Sequence, residues 1–74
     1  MGRKELLERA LIAAGFSVQS NICHWVNVVG ERNAVEIEVS GTQFNVYSLA
    51  NDAQTLCSSV SAAVDAVREY CGRK

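Results

Sequence analysis

The alternation of hydrophobic and polar residues between Ala34 and Ser40 is the clearest pattern in the chain. Val35, Ile37 and Val39 are separated by polar residues. Because successive side chains of a strand point to opposite faces, this segment predicts a strand with one buried face and one solvated face. A sheet that is solvated on one face is usually antiparallel. We therefore expect an antiparallel sheet built around this strand.

Short turns on both sides of this strand predict a three-stranded meander. The two connections, residues 30–33 and 40–42, are too short for a crossover helix. They contain residues that tolerate the positive φ angles of tight turns, namely Gly30, Asn33 and Gly41. The neighbouring strands are predicted over residues 22–29 and 43–48.

The facing of the predicted strand at residues 22–29 has two alternatives. One face carries Ile22, His24, Val26 and Val28, and the other carries Cys23, Trp25, Asn27 and Val29. We expect the first set to face the core because it is more uniformly apolar, although a one-residue bulge would reverse the choice locally. The open face would then carry the predicted partner-binding residues, which are Trp25, Asn27, Glu36, Glu38, Asn45 and Tyr47.

Apolar stripes at helical spacing lie before and after the sheet. The first helix is predicted over residues 3–14, with a left-handed Gly15 at its end and Phe16 packing back on Leu11. The second helix is predicted to start near Asn51 or Asp52 and to end at Gly72. Asn51 and Gln54 have the form of a capping box, and the inner stripe of this helix is Ala53, Leu56, Cys57, Val60, Ala63, Val64, Val67 and Cys71.

These elements define the expected fold. Residues 1–74 should form a single α+β domain of order α-β-β-β-α, in which both helices cover the apolar face of a three-stranded antiparallel meander. A chain of 74 residues has one small core, so a large enclosed active site is not expected.

Composition and charge narrow the classes of function. Seven Lys and Arg residues against eight Asp and Glu residues give a net charge of −1, which disfavours nucleic-acid binding. No apolar run is long enough to span a membrane, and the N-terminus lacks the apolar core of a signal peptide, so an intracellular, cytoplasmic protein is expected. We find no motif for a cofactor or a small-molecule substrate.

The three cysteines predict free thiols. Cys23, Cys57 and Cys71 are odd in number and share no C-x-x-C spacing. His24 is adjacent to Cys23, but neighbouring residues on a strand face opposite ways and could not bind one zinc ion together. No metal site is expected.

His24 is the only histidine and the first candidate for catalysis, because imidazole groups exchange protons near neutral pH. Catalysis needs a second group, and Glu36 or Glu38 would approach His24 only if the strand faced the other way. A structural role is the expected one, in which His24 is half-buried and hydrogen-bonded to an acceptor.

The N-terminal half of the chain resembles HicA-type toxins, which are small messenger-RNA interferases with a fold like that of double-stranded-RNA-binding domains. Gly15-Phe16 at the end of the first helix and His24 on the first strand fall in the arrangement of that family. The resemblance implies an α-β-β-β-α fold and a catalytic role for His24 in RNA cleavage. The chain departs from the family in having Ile22-Cys23 before the histidine and no proline.

The function expected from the sequence is that of a small, non-enzymatic binding module that engages a protein partner or associates with itself. By analogy of size and composition, phage-encoded inhibitors of host defence complexes offer one model for such a module. The alternative is a HicA-like RNA-binding protein or ribonuclease that uses His24.

Overall fold

A computed structural model describes residues 2–20, 24–31 and 33–72. It confirms the α+β class and differs from the expected topology in the number of strands. The elements, in chain order, are α1 (Arg3–Ala13), β1 (Ser17–Ser20), β2 (Trp25–Val29), β3 (Val35–Ser40), β4 (Gln43–Ser48), β5 (Ala53–Cys57) and α2 (Val60–Cys71).

The five strands form one antiparallel sheet in sequence order, so every strand pairs with its neighbour in the chain. β3 is the central strand, as its clear alternation predicted. The β3–β4 connection is a two-residue hairpin loop, because Ser40 pairs with Gln43. Gly41 in this loop has a φ of 56°, and Gly30 after β2 has a φ of 79°, so both predicted turns use glycine as expected.

One face of the sheet carries the core. Alternate side chains of the three central strands are buried there, and buried residues of both helices pack against them. The strand residues of this cluster are Val26, Val28, Val35, Ile37, Phe44, Val46 and Cys57, and the helix residues are Leu7, Leu11, Ala63, Val64, Ala66 and Val67. The predicted placement of both helices on one face is therefore confirmed.

The end of α1 follows the prediction closely. Gly15 has a φ of 96°, which is the left-handed conformation that glycine adopts without a Cβ clash. The backbone N–H of Phe16 donates to the Leu11 carbonyl at 3.0 Å, and the N–H of Gly15 donates to the Ile12 carbonyl at 3.0 Å. These two bonds make a Schellman motif. The motif turns the chain so that Phe16, only 3% exposed, enters the core beside Leu11.

The predicted start of the second helix is wrong. Asn51 lies in the turn after β4, Gln54 lies on β5, and the helix begins instead at Val60. Its N-cap is Ser59, whose hydroxyl oxygen accepts a hydrogen bond from the N–H of Ala62 at 3.1 Å. A capping box at Asn51 is thereby excluded. The helix ends at left-handed Gly72, as expected.

The prediction of three strands is also wrong at the N-terminal side of the sheet. Residues 17–20 form an edge strand, β1, that pairs with β2 from Ser17–Val29 to Ser20–Val26. Within the described residues, the strand expected over residues 22–29 is β2, Trp25–Val29, and residues 22 and 23 of that prediction lie outside the described residues.

Candidate interaction surface on the open face of the sheet

The face of the sheet opposite the helices brings all six predicted partner-binding residues together. Cross-strand register fixes this arrangement, because side chains of directly paired residues share a face. One row across the sheet is Trp25, Glu38, Asn45 and Leu56, and the adjacent row is Gln19, Asn27, Glu36, Tyr47 and Gln54. These two rows define what we call the open face.

The predicted facing of β2 is confirmed for the residues that the structure describes on that strand. Val26 is fully buried and Val28 is 4% exposed, whereas Trp25 and Asn27 are partly exposed on the open face. Trp25 therefore lies on the side of the sheet that neither helix covers.

An aromatic pair lies at the centre of the open face. The Trp25 and Tyr47 ring centroids are 5.8 Å apart with an interplanar angle of 35°. Trp25 belongs to β2 and Tyr47 to β4, so their rings meet above β3, which lies between those strands. The register places Glu38 beside Trp25 and Glu36 beside Tyr47, so a carboxylate flanks the aromatic pair on each side.

His24 extends the aromatic pair, contrary to the prediction that it faces the core. Its side chain is 50% exposed, and its ring stacks on Trp25 with centroids 6.0 Å apart and an interplanar angle of 29°. His24 precedes β2, in a turn, so the strict two-residue alternation of the strand does not fix its direction. Its backbone carbonyl still accepts the Val39 N–H at 2.8 Å.

A chain of polar contacts runs beside the aromatic pair, from the turn before β2 across β3, β4 and β5. The Nε2 atom of His24 lies 3.1 Å from Oε2 of Glu38. Asn45 Nδ2 donates to the other oxygen of Glu38, Oε1, at 3.3 Å, and Gln54 Nε2 donates to Asn45 Oδ1 at 3.3 Å. The expectation that Glu38 could meet His24 only if β2 faced the other way is therefore wrong. Both oxygens of Glu38 have partners within the protein.

Glu36 differs from Glu38 in this respect. Within the described residues its carboxylate takes part in no hydrogen bond and no ion pair, although the side chain is partly buried between Asn27 and Tyr47. The Oδ1 atom of neighbouring Asn27 is buried and has no hydrogen-bond partner among those residues either. This part of the open face therefore has acceptor oxygens that no donor of the described residues satisfies.

Charge is distributed unequally between the two layers of the domain. The Lys and Arg residues of the described ranges all belong to helices; they are Arg3, Lys4, Arg9 and Arg68. The open face contributes Glu36 and Glu38 and, among the same residues, no lysine or arginine. It is therefore an acidic surface with an aromatic centre.

Two open-face residues were missed because β5 was interpreted as helix. Gln54 and Leu56 were assigned to a second helix, yet they extend the two rows of the open face, and Leu56 is 57% exposed. The adjacent serines Ser58 and Ser59 gave a usable signal, since serine before an apolar helical stripe is a preferred N-cap.

Other regions of the described chain have fewer features that indicate a binding or catalytic site. An open groove of about 340 Å³ lies along the contact between the helices and is lined in part by small side chains, including Ala10 and Ala13 of α1 and Ser61 of α2. The ranges that the structure covers contain no cluster of three or more His, Cys, Asp or Glu residues suited to a metal ion. No helix in these ranges has the length and apolar character needed to cross a membrane.

Comparisons of the chain with protein-family models, with curated proteins and with solved structures found no match.

Proposed function

We propose that this protein is a small intracellular binding module that engages a protein partner through the open face of its sheet. The observation that supports the proposal most directly is the partly exposed Trp25–Tyr47 pair on a face that neither helix covers. Tryptophan and tyrosine are enriched among the residues that dominate binding energy, and polar residues commonly surround them. An inhibitor of a host defence complex, of the kind that phages encode, is one module that acts in this way.

Nearby exposed apolar residues enlarge the proposed contact surface. Leu56 is 57% exposed at one end of the Trp25 row, and Val29 is 38% exposed further along β2. A partner that covers the aromatic pair could therefore also bury these two side chains.

The test compares Trp25→Ala and Tyr47→Ala with the unchanged protein. A partner would be captured from an extract of the native host, identified by mass spectrometry and titrated by calorimetry. Each substitution should weaken binding at least tenfold, because truncating such an anchor often costs about 2 kcal/mol. The melting temperature should fall by only a few degrees, since neither side chain belongs to the buried core.

Ile12→Ala is the matched control. Ile12 is 59% exposed on α1, away from the open face, so its truncation removes exposed apolar surface without touching the proposed site. Equal weakening by Ile12→Ala, or undiminished binding by both open-face variants, would contradict the proposal.

A ribonuclease is the second candidate, and the contact between His24 and Glu38 is the observation that favours it. An exposed imidazole 3.1 Å from a carboxylate, beside stacking aromatic rings, has the parts of an acid–base site for a single-stranded substrate. Purified protein would be incubated with RNA alongside His24→Ala. We expect the RNA to remain intact in both samples. If the unchanged protein cleaved RNA and His24→Ala did not, a HicA-like ribonuclease would replace the binding module as the proposed function.

A further inference from the structure

We propose that the open face binds a basic segment of its protein partner, with an arginine side chain placed against Trp25 and Tyr47 and paired with Glu36. This inference rests on the proposed function, because it names the chemistry of the partner that the same surface would take. The charge of the face, its aromatic centre and the free carboxylate each support it.

The negative charge of the open face favours a partner segment with positively charged side chains. Glu36 and Glu38 flank the aromatic pair, and the described basic residues lie on the helices at the other side of the sheet. A partner segment with positive side chains would therefore meet complementary charge over the whole centre of the surface. A phosphate backbone would meet repulsion there.

The aromatic centre favours arginine among cationic groups. The faces of aromatic rings carry negative electrostatic potential and attract cations within about 6 Å of the ring centroid. Trp25 and Tyr47 are both partly exposed on the open face, and their ring centroids are 5.8 Å apart. The planar guanidinium group stacks on such rings and still directs its N–H groups sideways to an acceptor.

Glu36 is the acceptor that the structure leaves available. Glu38 already contacts His24 and Asn45, whereas Glu36 has no hydrogen bond or ion pair with any described residue. Glu36 is also the cross-strand neighbour of Tyr47. A guanidinium lying on the Tyr47 ring could therefore donate two parallel hydrogen bonds to this carboxylate, which is the strongest geometry for that pair.

A second copy of the chain fits this surface less well. A symmetric dimer formed through the centre of the open face would bring the Glu36 and Glu38 carboxylates of both copies together. Like charges placed together in an interface oppose association unless they are compensated. The described residues of the face supply no lysine or arginine for that compensation.

The experiment uses Trp25 as the reporter, because it is the only tryptophan in the chain. A synthetic nine-residue peptide of alternating arginine and serine would be titrated while Trp25 fluorescence is followed. A matched peptide would carry citrulline, the neutral analogue of arginine, at the same positions. We expect a saturable fluorescence change with the arginine peptide, at least tenfold weaker binding of the citrulline peptide, and weaker arginine-peptide binding at higher salt.

Two isosteric variants locate the site. Glu36→Gln should weaken binding of the arginine peptide at least tenfold, whereas Glu69→Gln, which removes the same charge from an exposed position on α2, should change it less than twofold. Circular dichroism would verify that both variants are folded.

In the peptide titrations, the inference would be overturned by no saturable binding of the arginine peptide at millimolar concentration, by equal binding of the citrulline peptide, or by equal effects of Glu36→Gln and Glu69→Gln. Tighter binding of a single-stranded RNA oligonucleotide, or concentration-dependent dimerisation abolished by Tyr47→Ala, would also overturn it. The proposed function can survive such a result, because a captured partner that needs Trp25 and Tyr47 but not Glu36 would still be bound through the open face.

Discussion

At the scale of single residues, Cys57 shows how strongly position within the sheet controls reactivity. It lies on the core face of β5 opposite Phe44 and is 5% exposed. Burial raises the pKa of the Cys57 thiol, because the thiolate would lose its hydration. The thiolate is the nucleophilic form, so both access and ionisation oppose reaction of the folded protein.

We therefore predict that Cys57 reacts slowly with a maleimide in the native state and rapidly after unfolding. Cys71, partly buried at the end of α2, should react faster than Cys57. Peptide mapping by mass spectrometry after timed labelling measures both rates. Rapid modification of Cys57 at neutral pH, in protein that circular dichroism shows to be folded, would contradict its placement.

The same pKa shift predicts a contribution of Cys57 to stability that depends on pH. The folded-state pKa lies above that of the unfolded thiol, so the contribution is complete below the unfolded pKa and is lost as the pH rises through the folded one. Compared with Cys57→Ala, the unchanged protein should lose additional stability at alkaline pH.

The direction of the His24 side chain could not be predicted from the alternation that placed its neighbours. Alternation along the strand placed Trp25 and Asn27 correctly, because β2 begins at Trp25 and its pattern is regular from there. His24 lies one residue outside β2, where the backbone no longer imposes a period of two. Its contact with Glu38 depends on that turn, and the sequence alone could not supply the turn's geometry.

At the scale of elements, the two edge strands were missed because their sequences do not alternate in the usual sense. β5 directs Thr55 toward the core and Leu56 to solvent, which reverses the expected pattern, while Ala53, Leu56 and Val60 happen to follow helical spacing. β1 has four residues, of which Val18 packs against the core. The central strands were predictable because each has a continuous buried set.

The boundary between β5 and α2 provides the element-scale prediction. The Ser59 hydroxyl accepts the Ala62 N–H at 3.1 Å, so Ser59→Ala removes an N-cap and should lower the free energy of unfolding by about 1 kcal/mol. Ser58→Ala is the adjacent control, because Ser58 is exposed and precedes the cap. Urea denaturation of the three proteins measures the difference. Equal midpoints for the two variants would mean that Ser59 does not cap α2.

At the scale of the whole molecule, the two faces of the sheet differ: the helices cover the core face, and the open face is uncovered. Both helices pack on the core face and on each other, so this side supplies the buried apolar area that holds the domain together. The open face adds little to that core. Substitutions of its aromatic and acidic residues should therefore cost little folding stability, which is compatible with the binding role that we propose for this face.

Because the two faces differ in burial, truncating a side chain on the core face should cost much more stability than truncating one on the open face. Phe44 is fully buried, lies under the Arg3 guanidinium at 4.4 Å and pairs with Cys57 across the sheet. Phe44→Ala should cost about 3–5 kcal/mol, a large share of the stability of a domain this small. Leu56→Ala, one strand away on the open face, should cost less than about 1 kcal/mol, because Leu56 is already 57% exposed.

Thermal and urea unfolding of the two variants would measure these costs, and the binding assay would be run on Leu56→Ala. We expect Phe44→Ala to be largely unfolded or far less stable, and Leu56→Ala to unfold in one transition close to that of the unchanged protein, with weakened partner binding. If Leu56→Ala instead lost as much stability as Phe44→Ala, the open face would be part of a second core. The surface assigned to a partner would then be needed for folding.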